Sequence, residues 1–279
     1  MTVFRIALVT LFEVVRKRLA IVAVVLALLV VALTGLGAHA LANQSRHGHP
    51  LTHLEILAIA SQMMMLVAYL FSMVVALGGA FAAAPALAAD IETGLLLPML
   101  TRPIRRAEIV VGKYIGLTVF LAAYATACGL AEFAVVRFFT GYWPPHPFVS
   151  LAYLSCVALV MCAIALLFST RLSTVPSGIA AVVLYGLAWC GGILGDIGAN
   201  TQLQWLIDAG TVTELVLPSD AFWRASAFAL EPASLIAAMH GNLPFVVSAP
   251  PTLAMQIWSA GWILVVLGLA CWSFKRRDF

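Results

Sequence analysis

Asp90-Ile-Glu-Thr-Gly-Leu-Leu-Leu-Pro-Met-Leu-Thr-Arg-Pro-Ile-Arg-Arg-Ala-Glu-Ile-Val-Val-Gly-Lys-Tyr-Ile-Gly116 stands between two long apolar runs and decides how the chain is read. It holds three acids, Asp90, Glu92 and Glu108, and four bases, Arg102, Arg105, Arg106 and Lys113. Its two prolines, Pro98 and Pro103, each limit how far a helix can continue. Leu95, Leu96, Leu97, Met99 and Leu100 form an apolar cluster too short for the ~20 residues that cross a bilayer, and too apolar for a plain loop. The pattern predicts a short element lying along a membrane surface, apolar side down and charged ends in water.

The flanking runs set the class. The 279 residues are 63% hydrophobic and 10% charged, with a mean hydropathy of +1.05. A soluble chain of this length carries about a quarter charged residues. A polytopic membrane protein follows, all-α because helices satisfy their own backbone groups in lipid. The net charge of +3 says little about partners, since the placement of the bases matters more than their sum. No long basic run or aromatic-interleaved patch points to nucleic acid. The five cysteines, Cys128, Cys156, Cys162, Cys190 and Cys271, sit inside apolar runs with no CxxC pair or metal spacing. They read as small buried apolar residues.

Working outward, residues 3–18 read as an amphipathic interfacial helix. Phe4, Ala7, Leu8, Leu11, Phe12 and Val15 recur at helical spacing, with Arg5, Glu13, Arg16 and Lys17 opposite. Leu19 to about Ala38 is the first span. Ala38-His39-Ala40 resembles a cleavage site, but the region before it is too long for a signal peptide, which favours a retained helix. The polar segment Asn43–Glu55 is followed by a second run, Ile56–Ala89, whose Gly78-Gly79, Ala82-Ala83-Ala84 and Pro85 predict close helix approach. Tyr114–Phe138, Leu151–Ser169, Ser177–Gly195 and Leu253–Phe274 complete six spans. Residues 196–252 break the pattern, with two short amphipathic helices expected near Gln202–Leu217 and Ser219–Leu230, the second capped by Ser219 or Asp220.

The charges orient the spans. Twelve bases, including Arg5, Arg16, Lys17, Arg18, Arg171, Lys275, Arg276 and Arg277, fall on the side of the Asp90–Gly116 stretch. Only Arg46, Arg137 and Arg224 fall at or beyond the other. The positive-inside rule therefore places both termini and the charged stretch in the cytoplasm, with residues 43–55 and 196–252 outside.

At this point Glu92-x-Gly94, Arg102-Pro103-Ile104-Arg105-Arg106 and Glu108-Ile109-Val110-Val111-Gly112-Lys113 resemble the signature of type-2 ABC exporter permeases. That family has an acidic-x-Gly pair before a leucine-rich helix, then Pro-x-Ser-Arg, then Gly-Lys entering the third span. Arg105 stands where the family often has Ser, and Pro98 interrupts the leucine-rich helix. The resemblance is specific over about 25 residues and topological elsewhere. It implies one transmembrane permease domain, 1–279, with an interfacial helix (3–18), a cytoplasmic coupling helix between spans 2 and 3 (within 90–113), and an external helical insert between spans 5 and 6 (196–252). It further implies a bacterial inner-membrane subunit, export rather than import, an ATP-binding-cassette ATPase as partner, and a homodimer or a pairing with a related permease. Glu92, Gly94, Arg102, Pro103, Arg106, Gly112 and Lys113 are the expected partner-binding set. A headgroup anchor would need the bases but not the acidic-x-Gly pair.

The chain supplies no ATP chemistry of its own. Gly112-Lys113 is followed by Tyr114, with no glycine five residues earlier, so the GxxxxGK[ST] phosphate loop is missing and no cofactor is expected. No HExxH or GxSxG occurs. Glu132, within the third span, is a candidate for the transport pathway, because an ionisable group at that depth is costly. Arg137 is read as an interface marker. His47, His49 and His53 read as a solvated loop rather than a metal site. Pro218-Ser219-Asp220-Ala221-Phe222-Trp223-Arg224 fits an outer gate or an interfacial anchor equally. A membrane-embedded enzyme and a non-catalytic scaffold without an ATPase partner stay as alternatives.

Overall fold

The computed structural model describes residues 2–16, 18–43, 45–46, 49–50, 53–95, 105–230 and 252–277. Among them the helices are α1 (Thr2–Arg16), α2 (Arg18–Ala42), α3 (His53–Glu92), α4 (Arg106–Thr140), α5 (Pro147–Ser169), α6 (Thr174–Thr201), α7 (Gln204–Val216), α8 (Ser219–Leu230) and α9 (Leu253–Lys275). The one strand pairing among them is a two-residue antiparallel contact of Ser45–Arg46 with His49–Pro50. Six helices, α2 to α6 and α9, are long and apolar enough to cross a membrane. The all-α, six-span architecture thus agrees with the hydropathy pattern.

Several details differ from those read in the sequence. α3 has 40 residues and α4 has 35, about 60 and 52 Å at 1.5 Å per residue, against a hydrocarbon layer of ~30 Å. Their ends therefore carry charged residues beyond the lipid, and α4 begins two turns before the expected Tyr114. Pro85 sits within α3 without ending it, since lost backbone bonds of a membrane helix can be made good by neighbouring helices. The expected cap of α8 is absent. The Ser219 hydroxyl is buried without a partner, and Asp220 is turned to Arg224 four residues on.

α5 is the axis of the bundle. It packs against α3, α4, α6, α8 and α9, and Val160 through Ala163, Ala165 and Leu166 are fully buried. A helix apolar on every side belongs at such a centre. The small residues of α3 allow the approach: a Cβ added at Gly79 would stand 3.2 Å from the Ala158 carbonyl oxygen of α5. α2 is peripheral. It leans on α4, and Tyr124 of α4 donates a 2.9 Å hydrogen bond to its Ala23 carbonyl.

α1 lies against α4. Ile6, Ala7, Thr10 and Val14 are buried, while Phe4, Val9, Phe12 and Val15 remain exposed. A small-xxx-small step makes the contact, Gly112 and Gly116 lying on one face of α4. A Cβ at Gly116 would stand 2.5 Å from the Ala7 carbonyl oxygen, and one at Gly112 would stand 2.8 Å from Ile6. Gly116→Leu should therefore lift α1, at a cost of about 1–3 kcal/mol for overpacking. In a background without the native cysteines, Thr10→Cys is expected to be inert to maleimide, and to react once Gly116→Leu is added. Unchanged reactivity would mean that α1 is held by something other than this contact.

Candidate coupling site and intramembrane carboxyl

The charged stretch begins where α3 ends. The Thr93 N–H donates to the Ala89 carbonyl at 2.9 Å, and the Gly94 N–H to that of Ile91 at 3.2 Å. Gly94 has φ 72°, a left-handed conformation that costs an L-residue with a side chain about 1–2 kcal/mol. It turns the chain out of the helix. Leu95 is exposed. Arg102 and Pro103, with the leucine cluster 96–100 and Pro98, lie outside the described residues. α4 then starts after Arg105, whose backbone is extended and makes no side-chain cap. The missing serine hydroxyl at this position leaves that cap unmade.

Asp90 and Lys113 join the two helices below this turn. The Lys113 ammonium binds both the Asp90 carboxylate and the Ala86 carbonyl oxygen of α3. The side chains are 6% and 18% exposed. Lys113 thus points into the bundle and fastens α4 to α3. Gly112 faces the opposite way, onto α1.

Glu92 and Arg106 extend the fastening to other spans. Glu92 accepts hydrogen bonds from the Thr174 backbone N–H at 3.0 Å and the Thr174 hydroxyl at 3.3 Å. It thereby caps α6 from outside, where a carboxylate suits the positive end of the helix dipole. The Arg106 guanidinium donates to the carbonyls of Phe274 (3.4 Å), Lys275 (3.1 Å) and Arg277 (2.7 Å). The first two belong to the last turn of α9 and the third to the chain just beyond it; the Phe274 carbonyl also accepts from the Arg277 N–H at 3.4 Å. Arg277 donates to the Thr170 carbonyl at 2.6 Å. Arg171 donates to the hydroxyl and carbonyl of Ser273 at 3.0 and 3.2 Å. The flanks of residues 93–105 are therefore tied, through side chains, to the start of α6 and the end of α9, and the end of α9 is tied in turn to the end of α5.

The opposite end of the bundle is held by different means. α7 folds back along the second half of α6, where glycines allow near-backbone contact. A Cβ at Gly210 would lie 2.7 Å from the Gly195 Cα, and one at Gly198 would lie 2.7 Å from the Ile207 nitrogen. Arg224 of α8 then bridges three acids: Asp196 at 2.7 Å, Glu214 at 3.4 Å and Asp220 at 2.6 Å. Burial pushes the Asp220 and Glu214 carboxyls above the usual carboxylate range, against the pull of Arg224. Arg224 is thus a structural clasp between α6, α7 and α8. Arg137 lies 4.9 Å from the Trp143 ring centroid, a cation–π contact at the end of α4.

Glu132 stands apart from both ends. It is 5% exposed, its Oε2 has no hydrogen-bond partner, and the Thr34 side chain of α2 is its polar neighbour.

The sequence model of one family, described as ABC-2 family transporter protein, matches residues 6–279. The chain belongs to that family. No curated protein matches it closely enough to add a named relative. As an ABC-2 family member it is the membrane component of a transporter, a multi-pass permease subunit.

The roles of several residues at this permease's clasp escaped the sequence reading. Ser273, Thr174 and Thr170 carry no motif, Asp90 counted only as an acid of the charged stretch, and Arg171 and Arg277 counted only as topology charges. Their partners lie 23 to 107 positions away, which no local period encodes. Removing one side of the buried pair should cost about 3–5 kcal/mol, because an uncompensated charge remains. Lys113→Met and Asp90→Asn should each lower the thermal midpoint in detergent, and the double variant should recover more than half the loss. Simple addition of the two losses would show that the residues do not act as a pair.

Proposed function

We propose that this chain is the permease of an ABC exporter, working as a homodimer or with a related permease, and driven by a separate ATP-binding-cassette ATPase. The clasp around residues 93–105 carries the reading. This segment links the end of α3 to the start of α4; its flanks hold the start of α6 and the end of α9 by hydrogen bonds, and the end of α9 holds that of α5. A partner that displaced it would move five spans together, as rigid-body switching requires. A headgroup anchor has no need of such linkage.

The residues then divide the work. Arg102 and Pro103 belong to the contact itself, and Glu92 to its exposed edge. Gly94 lets the chain leave α3. Arg106 and Lys113 pass displacement to α9 and α3, and Gly112 passes it to α1. ATP is hydrolysed on the partner, since Gly112-Lys113-Tyr114 makes no phosphate loop. With α5 filling the centre of one chain, the substrate pathway forms between two such chains.

The excess of bases at the clasp end supports a cytoplasmic position for both termini, in the inner membrane of a bacterium. Arg105→Cys and Arg276→Cys should then label from the cytoplasm only, and Asn43→Cys and Thr201→Cys from outside only. Labelling of position 201 from inside would reverse the orientation.

The decisive experiment is purification of the full chain from native membranes in mild detergent. An ATPase chain should accompany it, with two copies of each in the complex. A lone monomer free of ATPase would remove the proposal. Charge variants then separate contact from transmission. Glu92→Lys should weaken ATPase association at least about tenfold, as loss of an interfacial charge contact does. Arg106→Gln should leave association intact and reduce transport-linked ATP turnover, because its link to the end of α9 is cut. Wild-type behaviour of both variants would deny the clasp a coupling role.

A further inference from the structure

α4 carries one carboxyl group deep in the bundle that the clasp does not use. Glu132 lies eight residues before Thr140, about 12 Å from the end of a helix about 52 Å long that overhangs a ~30 Å layer by about 11 Å at each end when centred, and so just inside the hydrocarbon edge. Its Oε2 is buried without a partner. It faces a cavity of about 20 Å³ walled by Met64 and Phe71 of α3, Gly129 of α4, and Ser150, Leu151 and Leu154 of α5. Such a space holds one water.

No cation faces this carboxyl group among the described residues. α2 offers the Thr34 hydroxyl, with His39 further along and stacked edge-on against Phe139. α3 and α5 present apolar groups and Ser150, which is paired with Ser226 of α8 at 2.8 Å. On α4 itself, Cys128 is one turn earlier, and Arg137 is five residues on and seated over Trp143. The other buried acids differ: Asp90 has Lys113, and Asp220 has Arg224. An ionised carboxylate needs a counter-charge or a full set of donors when taken out of water. The neutral acid needs only an acceptor for its one proton and a donor for its carbonyl, which Thr34 and a single water can provide.

We propose that Glu132 is an intramembrane proton-binding site, neutral in the packed arrangement and releasing its proton when α3, α4 and α5 part at their outer ends. On opening, the O–H bond breaks, the proton passes to entering water, and a solvated carboxylate remains. On closure it takes the proton back. Occupancy of the site rests on the packing alone. Its link to the transport cycle rests on the permease reading.

The test uses the full chain in lipid vesicles with no ATPase present, so that its outcome is independent of the coupling proposal. Dicyclohexylcarbodiimide partitions into apolar regions and reacts with protonated carboxyl groups. At neutral pH it should modify the Glu132 peptide and spare the exposed acids Glu13 and Asp208, with modification falling as pH rises. Infrared spectra should show the carbonyl stretch of a protonated carboxyl group, shifted in D2O and absent in Glu132→Gln. This variant is isosteric with the neutral acid and should fold with an unchanged thermal midpoint. The infrared band without carbodiimide modification still supports the site, as one closed to the reagent. Absence of the band at neutral pH overturns the proposal, with or without modification. Failure of Glu132→Gln to fold also overturns it.

Discussion

A lysine ammonium held between the Asp90 carboxylate and the Ala86 carbonyl fixes how α3 and α4 meet. Two long helices emerge from the bundle side by side, and the chain between them carries its densest charge. Without the pair, Lys113 would be a buried cation two turns inside a span, an arrangement that lipid and protein both reject. With it, the neck below residues 93–105 is rigid. Arg106 can then reach carbonyls at the end of α9 and just beyond it, and Glu92 the first amide of α6. Each of these contacts spends a helix terminus that would otherwise have to find water.

The two ends of the bundle use opposite chemistry around the same apolar axis. At the clasp end, long arms of Arg, Lys and Glu span gaps between helix termini. At the other end, glycines on α6 bring α7 almost to backbone contact, and one arginine gathers three acids over the junction. Long polar arms tolerate displacement, because their hydrogen bonds can follow a moving partner. A glycine stripe packs tightly but in one register only. Glu132 lies between, away from the clasp and from the glycine contacts of α6 with α7, where a water-sized cavity lies between α3, α4 and α5.

The sequence by itself determined the solvent and therefore the fold class. Six apolar runs of spanning length leave only helices in lipid, and their order, the amphipathic α1 and the two insert helices followed from periodicity. The motif from Glu92 to Lys113 stood out in the sequence as the charged break between two apolar runs. Tertiary structure alone decided what those residues hold. That Lys113 turns inward to Asp90, that Arg106 serves the end of α9, and that Arg224 bridges three elements rather than anchoring a surface depend on which helices are adjacent and at what rotation. So does the absence of a cap at Ser219, whose hydroxyl is enclosed by packing. The physical reason is one of range. Hydropathy and helical period act over neighbouring turns and are written along the chain, whereas the pairing of charges and the isolation of Glu132 arise from contacts between helices far apart in sequence.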